Sequence, residues 1–149
     1  MDLKFMLRAI ELAKQATQTD DVPVGCVIVK DGEIVAESSN MKEVNNDATK
    51  HAEMVAISKA TQVLGNWWLE DCDVYVTLEP CPMCAGAMIN SRIKNLYFGA
   101  YDPKTGAAGS KINLFEENLF NHNINVVGGI MAEECGALLT DFFKKKRLK

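Results

Sequence analysis

The 149 residues carry a net charge of −4, with 48% apolar and 24% charged side chains, an ordinary balance for a globular domain with a substantial core. No apolar run approaches the ~20 residues a membrane helix needs, and five cysteines without a signal-peptide core argue against a disulfide framework. A net negative chain makes a poor general nucleic-acid binder, so RNA contact would need a local cluster of cations.

A single domain over residues 1–149 and a cytoplasmic location are the expectations. Leu3, Met6, Leu7, Ile10 and Ala13 recur at helical spacing, with charged residues on the opposite face. Val24 to Val29 reads as a buried strand. Asp31-Gly32 is a hairpin turn signal, and Glu33 to Ser38 returns antiparallel. Asn40 follows, either as a turn residue or as an amide that hydrogen-bonds a substrate. Residues 41 to 49 are polar and loop-like. Helical spacing then runs from His51 toward Val63, with Asp47 or Thr49 as a cap and Gly65 closing the end. At least one of Trp67 and Trp68 is expected in the core. Asp73 to Leu78 reads as a strand that runs straight into Glu79-Pro80-Cys81, a placement that suits a ligand site in α/β sheets.

A helix over Pro82 to Ser91 and a strand over Lys94 to Ala100 come next. Residues 101 to 123 are irregular, as functional segments of compact domains often are. Ile124 to Val127 is a last short strand. Met131, Cys135, Leu138, Leu139 and Phe142 form the core stripe of a final helix. Cys26, Cys72 and Cys135 read as small buried hydrophobes. Phe143 lies off the stripe, as a base-stacking aromatic or as a dimer or core contact. Beside it the chain closes on Lys144-Lys145-Lys146-Arg147-Leu148-Lys149. That run reads as a solvated helix end whose cations suit the helix dipole, or as an RNA-binding patch.

Chemistry concentrates between residues 47 and 91. His51 with Glu53 two residues on is answered by Pro80-Cys81-Pro82-Met83-Cys84. Zinc takes imidazole and thiolate ligands, usually four, and catalytic sites leave one position to water. His51, Cys81 and Cys84 supply three, and Glu53, not needed as a ligand, can carry the water's proton. Pro82 suits the first turn of a helix. Cys81 then stands at the start, Cys84 lies one turn on, and the helix N-terminus biases both toward thiolate. A closed structural site that adds His122, the other histidine, is the competing arrangement. Its distant histidines lack the paired spacing such sites use. Spacing alone does not bring His51 and Glu53 to one point, because residues two apart on a helix diverge.

This H-x-E…P-C-x-x-C pattern is the known signature of zinc nucleobase deaminases. The sequence resembles the cytidine deaminase superfamily and, within it, the bacterial tRNA-specific adenosine deaminases. The narrower resemblance rests on Val22-Pro-Val-Gly25, Met83-Cys-Ala-Gly-Ala-Met88, Lys104-Thr-Gly-Ala-Ala-Gly-Ser110, Asn121-His122 and Asp141-Phe-Phe143. It implies a three-layer α/β/α sandwich around a five-stranded mixed sheet, a homodimer, and one zinc ion per subunit. It also implies hydrolytic deamination of the wobble adenosine of an arginine tRNA to inosine, with Glu53 shuttling protons. By the same resemblance Asn40 binds the flipped base, and Asp102, Lys104, Phe143, Lys144 and Arg147 lie where the anticodon stem-loop is held. The sequence departs from the family pattern at Lys50, Pro82 and Asn123. A free-base or nucleoside deaminase acting on guanine or cytidine is the alternative with the same zinc chemistry.

Overall fold

The chain folds around one sheet, in a computed structural model that describes residues 1–148. In order the elements are α1 (Leu3–Ala16), β1 (Gly25–Lys30), β2 (Glu33–Ser39), α2 (Lys42–Asn45), α3 (Ala52–Leu64), β3 (Cys72–Leu78), α4 (Pro82–Asn90), β4 (Asn95–Ala100), β5 (Asn125–Val127) and α5 (Ala132–Arg147). The strands lie in the order β2-β1-β3-β4-β5. β1 is antiparallel to β2 and β3, while β4 runs parallel to β3 and β5. The sheet is therefore mixed and five-stranded, as the resemblance implied.

Successive strand residues point to opposite faces, and this alternation sorts the helices into layers. Cys26, Ile28, Val74, Val76, Leu96 and Phe98 face one side, where they meet Ala52, Ala56 and Ala60 of α3 and Cys84 and Met88 of α4. Val27, Val29, Tyr75 and Tyr97 face the other, against Phe5, Met6, Ala9 and Ile10 of α1 and Cys135 of α5. The result is a three-layer α/β/α sandwich. Cys26, Cys72 and Cys135 are all buried. The alanines of α3 recur every fourth residue, so the helix lies close to the sheet.

Asp31 and Gly32 both take positive φ, 52° and 77°, as the hairpin turn between β1 and β2 requires. Gly25 is needed for a different reason. A Cβ there would overlap the carbonyl oxygen of Ala9 in α1, while its N–H donates to the Thr77 hydroxyl at 3.1 Å. Gly25→Ala is expected to lower stability by ~2 kcal/mol or more, read as an earlier midpoint in urea unfolding.

Two expectations are corrected. Trp67 and Trp68 are both exposed, at 59% and 47%. Gly65 ends α3 in the left-handed region, the chain turns outward, and fully buried Leu69 takes the core position instead. The polar stretch 41–49 contains the short helix α2, held from outside by Asp21, whose carboxylate accepts from the Glu43 N–H at 2.9 Å. Among the described residues, no helix is long and apolar enough to cross a membrane.

The parallel β3–α4–β4 unit sets the functional end of the sheet. Leu78 pairs with Ala100, so the segments after β3 and β4 leave the sheet side by side. The Glu79 N–H donates to the Ala100 carbonyl at 2.9 Å.

Candidate active site and metal centre

Two helices begin at the same place. α3 starts at Ala52, with His51 as its N-cap in an extended conformation, φ −67° and ψ 151°. α4 starts at Pro82, with Cys81 as its extended N-cap and Cys84 in its first turn. The sequence placed His51 inside the first turn, under an Asp47 or Thr49 cap. Asp47 instead forms a local turn, accepting from the Thr49 N–H at 2.9 Å and its hydroxyl at 2.7 Å. The α3 start is held by Asn40, whose Oδ1 accepts from the Ala52 N–H at 2.8 Å. This resolves the divergence expected of His51 and Glu53. His51 lies outside the helix and Glu53 inside it, so their side chains turn toward one cleft.

The Sγ atoms of Cys81 and Cys84 each lie 3.6 Å from His51 Nδ1, and all three donor atoms fall within 4.8 Å of one another. Bond lengths of about 2.3 Å to sulfur and 2.05 Å to nitrogen, at a tetrahedral angle, place N and S about 3.6 Å apart. Both nitrogen–sulfur distances match those of a tetrahedral zinc site. His122 does not join these donors. Its Nε2 hydrogen-bonds the Ile93 carbonyl at 2.7 Å, which ties the 101–123 segment to the end of α4. Three donors rather than four are the pattern of a site with an open position.

Both helix N-termini direct their positive ends at the donors, which favours the thiolate form of a cysteine ligand. The hydrogen bond from the Cys84 thiol, then that from His51, lower the Cys81 pKa to about 4. The same bond to Cys81, and then burial, raise the Cys84 pKa. His51 is raised, chiefly by its bond to Cys81. Zinc binds cysteine as thiolate, so metal binding at this pair would release the thiol proton of Cys84. Burial pushes the Glu53 pKa up to about 7, and a dication beside it would act in the opposite direction.

Asn40, His51, Glu53 and Cys81 share a cleft of about 160 Å³ with Lys42, Asp102 and Thr105. Asp102 and Thr105 also line a larger groove of about 610 Å³, together with Leu78, Tyr101, Lys104, Phe143 and Arg147. The structure therefore brings Asp102, Lys104, Phe143 and Arg147 together beside the cleft. Lys144 is exposed but is not part of the groove lining. Lys146 pairs with Asp20 and lies 5.6 Å over the Phe142 ring. Lys149 lies outside the described residues. The Asp102 carboxylate accepts from the Lys104 and Thr105 N–H groups and the Thr105 hydroxyl, which shapes its own loop.

Sequence reasoning missed Asp21, Lys42 and Glu79. Asp21 and Glu79 are buried carboxylates, 1% and 2% exposed, and each holds a loop at the cleft. The available signal was an acidic residue at the edge of an apolar strand, where a buried charge needs partners.

Comparison with known proteins agrees with this geometry. The sequence profile of the MafB19-like deaminases matches residues 1–147. A tRNA-specific adenosine deaminase of Bacillus subtilis (strain 168) is 47% identical over 148 residues, covering 99% of this chain and 92% of its own. One from Haemophilus influenzae is 46% identical, covering 98% and 85%. The chain belongs to the tRNA-specific adenosine deaminase family of MafB19-like deaminases. Its chemistry is hydrolytic deamination. A solved structure from a study of A-to-I editing by tRNA:A34 deaminases superposes with a TM-score of 0.89 at 41% identity, covering 93% of this chain and all of that one. A guanine deaminase from Bacillus subtilis is 45% identical with a TM-score of 0.65, over 68% of this chain and 66% of its own. The deaminase cleft thus carries a metal-donor triad and a buried carboxylate, set beside a groove that contains cations.

Proposed function

We propose that the chain converts the wobble adenosine of an arginine tRNA anticodon to inosine, with one zinc ion per subunit held by His51, Cys81 and Cys84. The observation that carries this reading is the continuity of the Glu53 cleft with the groove of Lys104, Phe143 and Arg147. The relatives named as tRNA deaminases support it.

Zinc held at the triad supplies Lewis acidity that makes water nucleophilic near neutral pH. Glu53 takes a proton from the attacking water and delivers it to the exocyclic nitrogen. The C6–O bond forms, the C6–N bond breaks, and ammonia leaves. Asn40, with its oxygen engaged by Ala52, presents its NH₂ end as a donor to the base. Phe143, 46% exposed, stacks on a neighbouring base. Lys104, Lys144 and Arg147 meet phosphates, and Asp102 keeps the loop in shape. An anticodon loop is single-stranded, so extruding its base costs less than in a duplex.

The chain acts as one deaminase domain in the cytoplasm and as a homodimer. Exposed Trp67, Trp68, Ile112 and Phe120 leave apolar surface for a second copy to cover. The guanine reading draws on one observation, the 45% identity to a guanine deaminase over two thirds of the chain.

The deciding assay offers an arginine-tRNA anticodon stem-loop with adenosine at the wobble position, beside free adenosine, guanine and cytidine. Inosine is expected in the stem-loop alone. Turnover of free guanine or cytidine alone would overturn the RNA reading and leave the metal chemistry standing. Replacing Lys144 and Arg147 together by Gln is expected to weaken stem-loop binding. It should also reduce the slope of log K against log salt by roughly 1.4, for two phosphate contacts on a single strand.

A further inference from the structure

Glu79 stands between the metal-binding segment and the groove, and the deamination chemistry leaves it without a part. It is 2% exposed. Its Oε1 accepts from the Asp102 N–H at 3.0 Å and from the Ser110 hydroxyl. Its Oε2 accepts from the Ala108 N–H at 2.9 Å and the Ser110 N–H at 3.0 Å. One side chain thus takes three backbone amides and a hydroxyl from a single loop. The adjoining backbone adds a tie, since the Ala107 N–H donates to the Pro80 carbonyl at 2.8 Å. Gly106 lies so close that a Cβ there would collide with the Glu79 carboxyl group. Residues 102–110 are wrapped around this carboxylate.

The start of this loop, with Val22 and Leu78, forms the wall shared by the two cavities. Asp102 and Thr105 line the metal cleft, and the same two residues line the groove with Pro103 and Lys104. Glu79 itself lines the metal cleft, but its hydrogen bonds go to the loop and not to the donor triad or Glu53. Its grip fixes the wall against which a nucleotide would lie, and pre-set geometry of that kind lowers the cost of ordering on binding.

We propose that Glu79 is a positioning residue for substrate specificity. It holds the 102–110 loop, whose start forms part of the common wall of the cleft and groove, and so sets affinity for the RNA substrate rather than the rate of bond breaking. The proposal rests on the functional reading above.

A glutamine tests it sharply. Turned one way, its NH₂ faces the Ala108 and Ser110 amides. Turned the other way, it faces the Asp102 amide. Either orientation sets donor against donor at a buried position. In zinc-loaded Glu79→Gln, the amides of Asp102, Ala108 and Ser110 are expected to exchange with deuterium ~10-fold faster or more, while β1 and β3 exchange as before. KM for the stem-loop should rise ~10-fold or more with kcat within ~3-fold, at one zinc per chain. Ser110→Ala, which removes the hydroxyl contact alone, should raise KM ~3-fold. It reads the same split should Glu79→Gln fail to fold.

Unchanged exchange in the loop, an unchanged KM, loss of zinc, or a fall in kcat at constant KM would each overturn the proposal. A wild-type enzyme that ignores the stem-loop and deaminates a free base overturns the functional reading by itself. The exchange rates then still decide whether Glu79 holds the wall, and the KM for that base replaces the stem-loop's.

Discussion

Glu53→Gln is expected to retain its zinc and lose deamination by ~10⁴-fold or more, since one general acid–base step contributes 10²–10⁴ and Glu53 serves two. The side chain is nearly isosteric with the original, so His51, Cys81 and Cys84 keep their places. What disappears is the ability to take a proton from water and return it to the leaving nitrogen. Glu53 is buried, and burial opposes its charge, so in the metal-free chain the neutral amide is expected to leave the thermal midpoint equal or higher. Functional groups held against their solvation preference often show this exchange of activity for stability. Metal analysis, single-turnover deamination and a melting curve on one preparation decide the matter. Activity within tenfold of wild type would remove Glu53 from the proton path.

The cysteine pair of the candidate metal site was legible in the sequence because it has a local signature. Pro82 marks a helix start, and Cys81 and Cys84 follow from it at fixed spacing. The convergence of His51 with Glu53 was not legible. It depends on α3 starting one residue after His51, and that start is fixed by Asn40, which lies 12 residues upstream at the end of a strand. The Glu79 contacts span 23 to 31 residues, and no periodicity reports such pairings. The same limit hid α2, whose four residues are too few for a helical pattern and whose start is held by Asp21. The strands were readable as apolar runs, but their layer assignment came from alternation across a sheet whose order the sequence does not state. Trp67 and Trp68 show that aromatic character alone does not place a residue in the core. The turn at Gly65 directs the chain outward before either ring, and Leu69 fills the interior.

Loss of the metal should affect activity and stability together, which separates it from loss of Glu53. Chelation is expected to abolish deamination, with recovery on adding zinc. At a thousandfold excess over its Kd, a ligand bound only by the folded state contributes about 4 kcal/mol, equivalent to roughly 10 °C in Tm for a chain of this size. The metal-free chain should nevertheless stay folded. The cluster of α1, α5 and the sheet contains none of the donors, and Ala56, Ala60 and Leu69 continue to pack the other face. Small domains that are folded by their zinc behave differently. Cys84→Ser keeps the volume of this buried side chain but replaces the thiolate with a hydroxyl, a poor zinc ligand at neutral pH. It should lose zinc and turnover together and melt close to the chelated wild type. Measuring Tm with and without zinc for both variants makes the contrast direct. Glu53→Gln keeps the zinc-dependent rise, and Cys84→Ser loses it. If chelation unfolds the chain outright while Glu53→Gln remains active, the site is structural. If Cys84→Ser keeps both its metal and its activity, the triad is not the metal centre.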